Sequence, residues 1–257
     1  MDGAYLQDMF GLDNKTAVVT GASKGLGRSM ALALGRAGAR VCLVGRQDNL
    51  RETEALMEEH RCQSISVICD QTTEEGVAAI RDAVVGRWGA WDILVNNAGT
   101  FLRKPSVDWT MAEWDAVMDV NLRSVFLLCQ AAGKLMLQQR SGKIINIASI
   151  LGFQGGYTVP AYTASRHAVL GLTKALSNEW AEHGIQVNAI APGYMDTDQN
   201  IALFRDPVRS REMMARIPAK RWGRKDEVDG ACLLLASDAS DFMNGQVLIV
   251  DGGWMGR

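Results

Sequence analysis

A compact apolar segment followed by a glycine-rich turn does most to limit what this chain can fold into. Thr16–Thr20 has the β-branched composition of a buried strand, and three glycines, at 21, 25 and 27, follow before a helix-like pattern begins. In an α/β sheet such a turn places backbone N–H groups and a helix N-terminus where a dinucleotide pyrophosphate binds. The segment therefore predicts a nucleotide-binding loop with the contact residues Gly21, Ser23, Lys24, Gly25, Leu26 and Gly27.

The alternation of strand and helix continues along the whole chain. Further strand-like segments lie at 40–45, 64–69, 92–95, 143–148, 185–190 and 246–250, and helical patterns separate most of them. Strands connected in this way pair in parallel through right-handed crossovers. Because 257 residues suit one large domain, we predict a single domain over residues 1–257: an α/β fold with a Rossmann-like, doubly wound, seven-stranded parallel sheet and helices on both faces.

One segment, at about 194–224, interrupts this rhythm. It is long and rich in Arg and Met, and Pro192 and Pro218 bound it. Ligands of doubly wound sheets bind beyond the carboxyl ends of the strands, so an irregular segment that follows such an end can cover them. We predict that it forms a substrate lid.

Charge and cysteine content exclude several classes of partner. The net charge is −2 without a basic block, which indicates neither nucleic acid nor an anionic membrane surface as a partner. No uncharged apolar run approaches the ~20 residues of a membrane span, and the first residues lack the pattern of a signal peptide. Five scattered cysteines show no ligand spacing with the three histidines. We therefore expect a cytoplasmic protein with reduced thiols and no metal site.

Tyr162 and Arg166 stand one helical turn apart in a segment with an apolar stripe. If the segment is helical, the two side chains project from the same face, about 5–6 Å apart. A neighbouring cation favours the phenolate, which makes a tyrosine a plausible proton donor and acceptor near neutral pH. These two residues alone are also compatible with an ordinary helix surface.

Five motifs in fixed order carry a resemblance to a known family. They are 20–27, Asn96–Asn97–Ala98–Gly99, Asn121 in a long helical region from about 110 to 139, Ser149 ahead of Tyr162, and Pro192–Gly193 leading to Thr197. Together they resemble the short-chain dehydrogenase/reductase family from Lys15 to Gly253. The resemblance implies the catalytic residues Asn121, Ser149, Tyr162 and Arg166, and further cofactor contacts at Asn97, Ala98, Gly99, Tyr162, Arg166, Pro192, Gly193 and Thr197.

The resemblance also implies a reaction. Hydride passes between a nicotinamide and a carbonyl or secondary alcohol, while Tyr162 exchanges a proton with the oxygen and Ser149 hydrogen-bonds it. Asn121 holds a water that connects the site to solvent; a polar cap within a helix is the alternative for this residue.

The end of the second strand bears on the choice of cofactor. NAD-preferring members of the family carry an Asp where this chain has Gly45. Arg46 follows directly and Lys24 stands in the loop, so two cations are placed to meet a 2′-phosphate. NADP(H) is therefore favoured, with NAD(H) as the alternative. By resemblance Asp70 contacts the adenine amino group; otherwise it caps the helix that begins near 73.

Within the family, the likeness is greatest to sugar-acid dehydrogenases of the 2-dehydro-3-deoxy-D-gluconate 5-dehydrogenase and gluconate 5-dehydrogenase kind, through 145–156, 188–195, 216–223 and 250–254. A polyhydroxy acid needs hydrogen-bonding groups and a cation. The predicted substrate residues are Gln154, Tyr157 and Arg103, and the alternative for each, Arg103 above all, is an ordinary residue of a surface loop.

Two other functions remain open at this point. A 3-oxoacyl carrier-protein reductase would share these motifs and would need a basic patch, which Arg205, Arg209, Arg211 and Arg216 are able to form. A nucleotide-binding scaffold with impaired catalysis is the other, because Arg166 replaces the family's lysine. Members of the family commonly form homotetramers through the long helices, which predicts the same assembly here.

Overall fold

The strands form one parallel sheet. The computed structural model describes residues 3–47, 49–201 and 206–256. Its strands are β1 Thr16–Thr20, β2 Arg40–Gly45, β3 Ser64–Ile68, β4 Ile93–Asn96, β5 Gly142–Ile147, β6 Ile185–Pro192 and β7 Val247–Val250. They are ordered β3-β2-β1-β4-β5-β6-β7 and every pairing is parallel. The predicted seven-stranded, doubly wound sheet is confirmed.

Helices cover both faces of this sheet. They are α1 Gly3–Phe10, α2 Gly25–Arg36, α3 Arg51–Glu59, α4 Glu74–Trp88, α5 Met111–Met118, α6 Ser124–Gln139, α7 Pro160–Trp180, α8 Pro207–Arg216 and α9 Asp229–Ala236. Apolar residues of α4, α6 and α7 pack with the strands in one buried cluster, and those of α2, α3 and α9 form another. Successive side chains of β1 point to opposite faces of the sheet, so Val18 belongs to the first cluster and Val19 to the second.

The crevice for a ligand follows from the strand order. β1 pairs with β2 on one side and β4 on the other, so the chain changes direction across the sheet between them. At such a switch point the connections leave in opposite directions and open a cleft beyond the carboxyl ends of the strands. The glycine-rich turn and the Asn96–Gly99 motif lie on the two sides of this cleft.

The helical region predicted from about 110 to 139 is confirmed, but it is not a continuous α-helix. Asp119–Arg123 forms a turn of π-helix between α5 and α6. The extra residue in this turn directs Asn121 inwards, where it is fully buried. By length and composition alone, Met111–Gln139 is also able to cross a bilayer. Residues such as Leu128 and Met136 nevertheless pack in the core below the sheet, as those of a core helix do.

Three local features were not specified by the sequence pattern. The first described residues form the helix α1. The segment expected to be irregular contains α8, which begins with Pro207 and is capped by Asp206, whose carboxylate accepts from the N–H groups of Val208 and Arg209. A 3-10 turn, Lys225–Val228, directly precedes α9, which is α-helical from Asp229.

Candidate active site

One cavity of about 990 Å³ lies beyond the carboxyl ends of the central strands. Its walls include every residue that the sequence assigned to catalysis, cofactor or substrate except Asn121. The glycine loop forms one end, and Ser149 and Tyr162 lie at the other. Residues from sequence positions 21 to 254 therefore meet around a single space.

The glycine loop is held against the end of β4. Gly21 and Gly25 have φ values of +64° and +59°, which only glycine adopts without strain. The Thr20 hydroxyl accepts hydrogen bonds from the backbone N–H groups of Asn97 and Ala98, both at 3.0 Å. The Asn97 amide donates to the Thr20 carbonyl at 2.8 Å. A Cβ at Gly27 would collide with the Gly21 carbonyl and the Asn97 amide, so glycine is required there.

Arg28 fixes the other side of the loop, and the sequence reasoning missed it. Its guanidinium forms an ion pair with Glu52 at 2.6 Å and donates to the Ser23 carbonyl. Its Nε donates to the Thr53 hydroxyl at 3.0 Å, and that hydroxyl donates to the Ala22 carbonyl at 2.9 Å. Because Arg28 meets partners on α3, no local motif marks it.

The charged residues that are expected to determine the choice of cofactor line the cavity together with the glycine loop. Lys24 forms an ion pair with Asp198, and Arg46 lines the cavity just after β2. Asp70 accepts from the Thr72 side chain at 2.7 Å and the Thr72 backbone at 3.0 Å, and these hydrogen bonds lower the pKa of Asp70. Thr73, not Asp70, caps α4, by accepting from the backbone N–H of Gly76.

Tyr162 and Arg166 share one face of α7, as their spacing predicts. The Arg166 Cζ lies 4.9 Å from the centroid of the Tyr162 ring, so the guanidinium stacks over the ring. Arg166 is only 4% exposed, and its Nη1 donates to the Ile147 carbonyl at 2.8 Å. Phe101 packs edge-on against Tyr162, with ring centroids 6.2 Å apart. The cation is thus fixed beside the phenol.

Gly99 makes room for this guanidinium. A Cβ at position 99 would collide with Nη2 of Arg166 and approach Oδ1 of Asn121. Ser149 lies beyond the end of β5 and is 8% exposed. Its hydroxyl accepts from the backbone N–H of Leu151 at 3.1 Å, which leaves the hydroxyl proton available to donate.

Asn121 links two parts of the site without lining the cavity. Its amide accepts from the Thr100 N–H and donates to the Thr100 carbonyl, each at 2.8 Å. It also donates to the Ser165 hydroxyl at 3.1 Å, and Ser165 donates to the Tyr162 carbonyl at 2.7 Å. The side chain therefore joins the segment after β4 to α7.

The three predicted substrate residues line one part of the cavity, where hydrogen bonds connect Arg103 with Tyr157 and Gln154 with Trp254. Arg103 donates to the Tyr157 carbonyl at 3.2 Å, and Tyr157 is 84% exposed at the rim. Gln154 accepts a hydrogen bond from the Trp254 indole at 2.9 Å. Residues that sequence reasoning did not assign to the substrate also line this part: Tyr194, Arg209, Met213, Arg216 and Trp254.

The basic patch expected for a carrier-protein reductase is divided. Arg209 and Arg216 line the cavity, whereas Arg211 lies on the exposed side of α8. Arg205 lies outside the described residues. Over the part of the chain that the structure describes, no group of three or more His, Cys, Asp or Glu residues is placed to hold a metal ion.

A doubly wound sheet with a glycine loop at its switch point, and a Ser–Tyr pair in the same cavity, defines a dinucleotide-dependent oxidoreductase. Comparison with known proteins agrees. A family model described as enoyl-(acyl carrier protein) reductase matches residues 21–255. A 2-dehydro-3-deoxy-D-gluconate 5-dehydrogenase from Bacillus subtilis is 48% identical over 255 residues, which cover 98% of this chain and 99% of that protein.

Solved structures agree as well. A putative 2-deoxy-D-gluconate 3-dehydrogenase from Agrobacterium tumefaciens with bound NADP is 43% identical, with a TM-score of 0.91 over 97% of this chain and 100% of that chain. A gluconate 5-dehydrogenase from Burkholderia cenocepacia in complex with NADP and tartrate is 39% identical, with a TM-score of 0.93 over 98% and 99%. The chain belongs to the short-chain dehydrogenase/reductase family and is an NAD(P)-dependent oxidoreductase that acts on CH–OH donors.

Proposed function

We propose that the protein is an NADP(H)-dependent oxidoreductase that transfers a hydride between nicotinamide and a carbonyl or secondary alcohol of a sugar acid of the keto-gluconate type. The observation that carries the proposal is that a single cavity joins the glycine loop, the Ser149–Tyr162 pair and three arginines, at 103, 209 and 216. Cationic side chains suit a carboxylate substrate. The relatives named above support the same class of substrate.

The loop residues fit a dinucleotide. A Cβ built on Gly25 meets no atom within 4 Å, so the left-handed turn faces open space at the start of α2, where phosphates bind to helix N-termini. Lys24 and Arg46 would meet a 2′-phosphate, and Asp70 would face the adenine. When bound, the nicotinamide supplies or accepts the hydride.

The protein's own side chains manage the proton and the charge. In reduction, Tyr162 donates its phenolic proton to the carbonyl oxygen, and in oxidation it takes that proton back. The Ser149 hydroxyl donates a hydrogen bond to the same oxygen and stabilises its developing charge. The Arg166 guanidinium, whose Cζ lies 4.9 Å from the centroid of the ring, fixes the phenol and keeps a positive charge beside it. Asn121 positions α7 and the segment after β4 relative to each other.

We also propose the lid, the assembly and the location. The segment 194–224, of which 202–205 lie outside the described residues, is the substrate lid, and α8 within it contributes Arg209, Met213 and Arg216 to the cavity lining. The protein is a cytoplasmic homotetramer that acts on a small molecule and uses neither nucleic acid nor a membrane. Phe126 supports contact between copies, because it is 45% exposed on α6 while its neighbour Val125 is buried.

A substrate panel tests the function. With NADPH we expect turnover of 5-keto-D-gluconate, and with NADP⁺ turnover of gluconate or 2-dehydro-3-deoxy-D-gluconate. Tyr162→Phe and Ser149→Ala should each lower kcat by about 10²–10⁴-fold while NADPH still binds. Turnover confined to acyl thioesters would identify a carrier-protein reductase instead, and NADPH binding without turnover of any carbonyl would identify a scaffold.

A further inference from the structure

Tyr194 and Trp254 form an aromatic wall of the cavity. Trp254 is 7% exposed and packs against Tyr194, with ring centroids 4.9 Å apart at 60°. The chain returns to this position after β7 because Gly252 and Gly253 have φ values of +65° and +90°. The carboxylate of Asp251 accepts from the N–H groups of Gly253 and Met255 and fixes the turn. The indole is therefore part of a rigid surface.

Arg216 lies on this wall. It is the last residue of α8, it lines the cavity, and its Cζ lies 4.4 Å from the centroid of the Trp254 ring. A guanidinium that packs on the face of an indole is held in place there, while its N–H edge stays directed away from the ring. A carboxylate binds the N–H edge of that plane in a bidentate geometry. The arrangement thus orients the group that would recognise an anion.

A hydrogen bond at the edge of the ring holds the Trp254 indole in place. The Trp254 N–H donates to the Gln154 carboxamide oxygen at 2.9 Å. Gln154 follows Ser149 by one short turn, so the ring that supports Arg216 is tied to the segment that carries a proposed catalytic hydroxyl. The hydrogen bond therefore holds Arg216 at a fixed distance from the place where the substrate carbonyl would bind.

A second cation acts on the same region. Burial raises the pKa of the Tyr194 hydroxyl, and the positive charges of Arg216 and Arg103 both oppose that rise. Both guanidinium groups therefore lie close enough to Tyr194 to create a positive potential around it. Glu212 also lines the cavity, one turn before Arg216 on α8, and supplies an opposing charge.

We infer that Arg216, oriented by its stacking on Trp254, binds the carboxylate of the substrate and makes the enzyme specific for sugar acids over neutral sugars. This inference rests on the proposed function. Arg216, at the end of α8, thereby determines specificity. Gln154, which accepts the hydrogen bond from the Trp254 indole, supports the aromatic wall.

The test compares a charged substrate with a neutral one that has the same reacting carbonyl. Arg216→Gln should raise the KM for 5-keto-D-gluconate about tenfold or more, because it removes a charge-assisted contact. The same variant should leave the KM for the methyl ester of that acid, and the Kd for NADPH, within about twofold, because neither involves the carboxylate contact. Arg216→Lys should recover part of the acid preference, since it restores the charge without the bidentate edge.

Arg211→Gln is the matched control. Arg211 lies on the same helix, is exposed and does not line the cavity, so its loss should change none of these constants. Equal effects of Arg216→Gln on acid and ester, or no effect on either, would overturn the inference while leaving the proposed function intact. Failure of the unsubstituted protein to turn over any polyhydroxy keto acid would overturn the proposed function itself.

Discussion

The ammonium of Lys24 lies 3.1 Å from the carboxylate of Asp198, and this ion pair connects the glycine loop to the segment after β6. Lys24 directly precedes α2, and Asp198 begins the 3-10 turn Asp198–Asn200. The hydrogen bond from Lys24 lowers the pKa of Asp198. Because Lys24 is also proposed to meet the 2′-phosphate of NADP(H), Asp198 and that phosphate would compete for one cation.

Removing the cation should weaken the binding of NADPH selectively. We expect Lys24→Gln to raise the Kd for NADPH about tenfold, because it removes a charge-assisted contact to phosphate, and to change the Kd for NADH by less than about twofold. Fluorescence titration of both cofactors measures this. Lys225→Gln is the control, because Lys225 acts on Asp198 only through its charge and does not line the cavity. Equal losses for both cofactors would rule out a 2′-phosphate contact.

Removing the competitor should have the opposite effect. Asp198→Asn should lower the Kd for NADPH about two- to fivefold relative to that for NADH, since an exposed ion pair contributes at most about 1 kcal/mol. The two side chains are 62% and 51% exposed, so the gain should shrink at high salt. If Asp198→Asn leaves the ratio of the two Kd values unchanged, Lys24 does not bind both Asp198 and the 2′-phosphate.

Arg166 is where this chain differs from the lysine expected of its family. Arg166→Met should lower kcat about 100-fold, because Tyr162 loses the positive charge that is fixed over its ring. Arg166→Lys should retain turnover but move the alkaline limb of the kcat profile to lower pH, because an ammonium titrates near pH ~10 whereas a guanidinium does not. A rate and pH profile identical to those of the unsubstituted enzyme would show that the two cations are equivalent here.

Gly99→Ala tests how tightly the guanidinium is placed. The new Cβ would displace Nη2 of Arg166, so we expect kcat to fall about tenfold through loss of a positioned charge. The same substitution in an Arg166→Lys background should cost less, because an ammonium is more compact than a guanidinium. A double-mutant cycle on kcat measures the coupling, and additive effects would separate the two positions.

Asp229 predicts how stability depends on pH. Its carboxylate accepts from the Ser29 hydroxyl at 2.9 Å, while Oδ1 is buried without a partner. Burial raises its pKa to about 6, against the opposing hydrogen bond from Ser29. The folded state therefore holds this proton more tightly than the unfolded state does, and the associated stability is complete below the ordinary pKa near 3.8 and lost as the pH rises through about 6.

Asp229→Asn should accordingly stabilise the protein at pH 8 by about 1 kcal/mol, a value reduced for a carboxyl that is only half buried. The gain should disappear as the pH falls towards 4, and urea unfolding at both pH values measures it. Asp8→Asn, at an exposed position of α1, is the control and should be neutral throughout. A gain independent of pH would mean that the ionisation of Asp229 is not its cause.

Sequence reasoning succeeded where the determining contacts are local. Gly21 to Gly27 form their loop within eight residues, and the four-residue spacing of Tyr162 and Arg166 was sufficient to place both on one helical face. It missed pairs that only the tertiary fold brings together, such as Arg28 with Glu52 and Arg216 with Trp254. The raised pKa of Asp229 was equally invisible, because it arises from burial between α2 and α9.

The π turn at Asp119–Arg123 rotates the side chains of α6 about the helix axis relative to those of α5. Each residue advances an α-helix by about 100°, so one inserted residue turns everything beyond it by that angle. Deleting a single residue from this turn would restore a regular helix, but it would turn either the Asn121 amide away from Thr100 or the inner face of α6 away from the core. The length of this segment should therefore tolerate less variation than the identity of its exposed side chains.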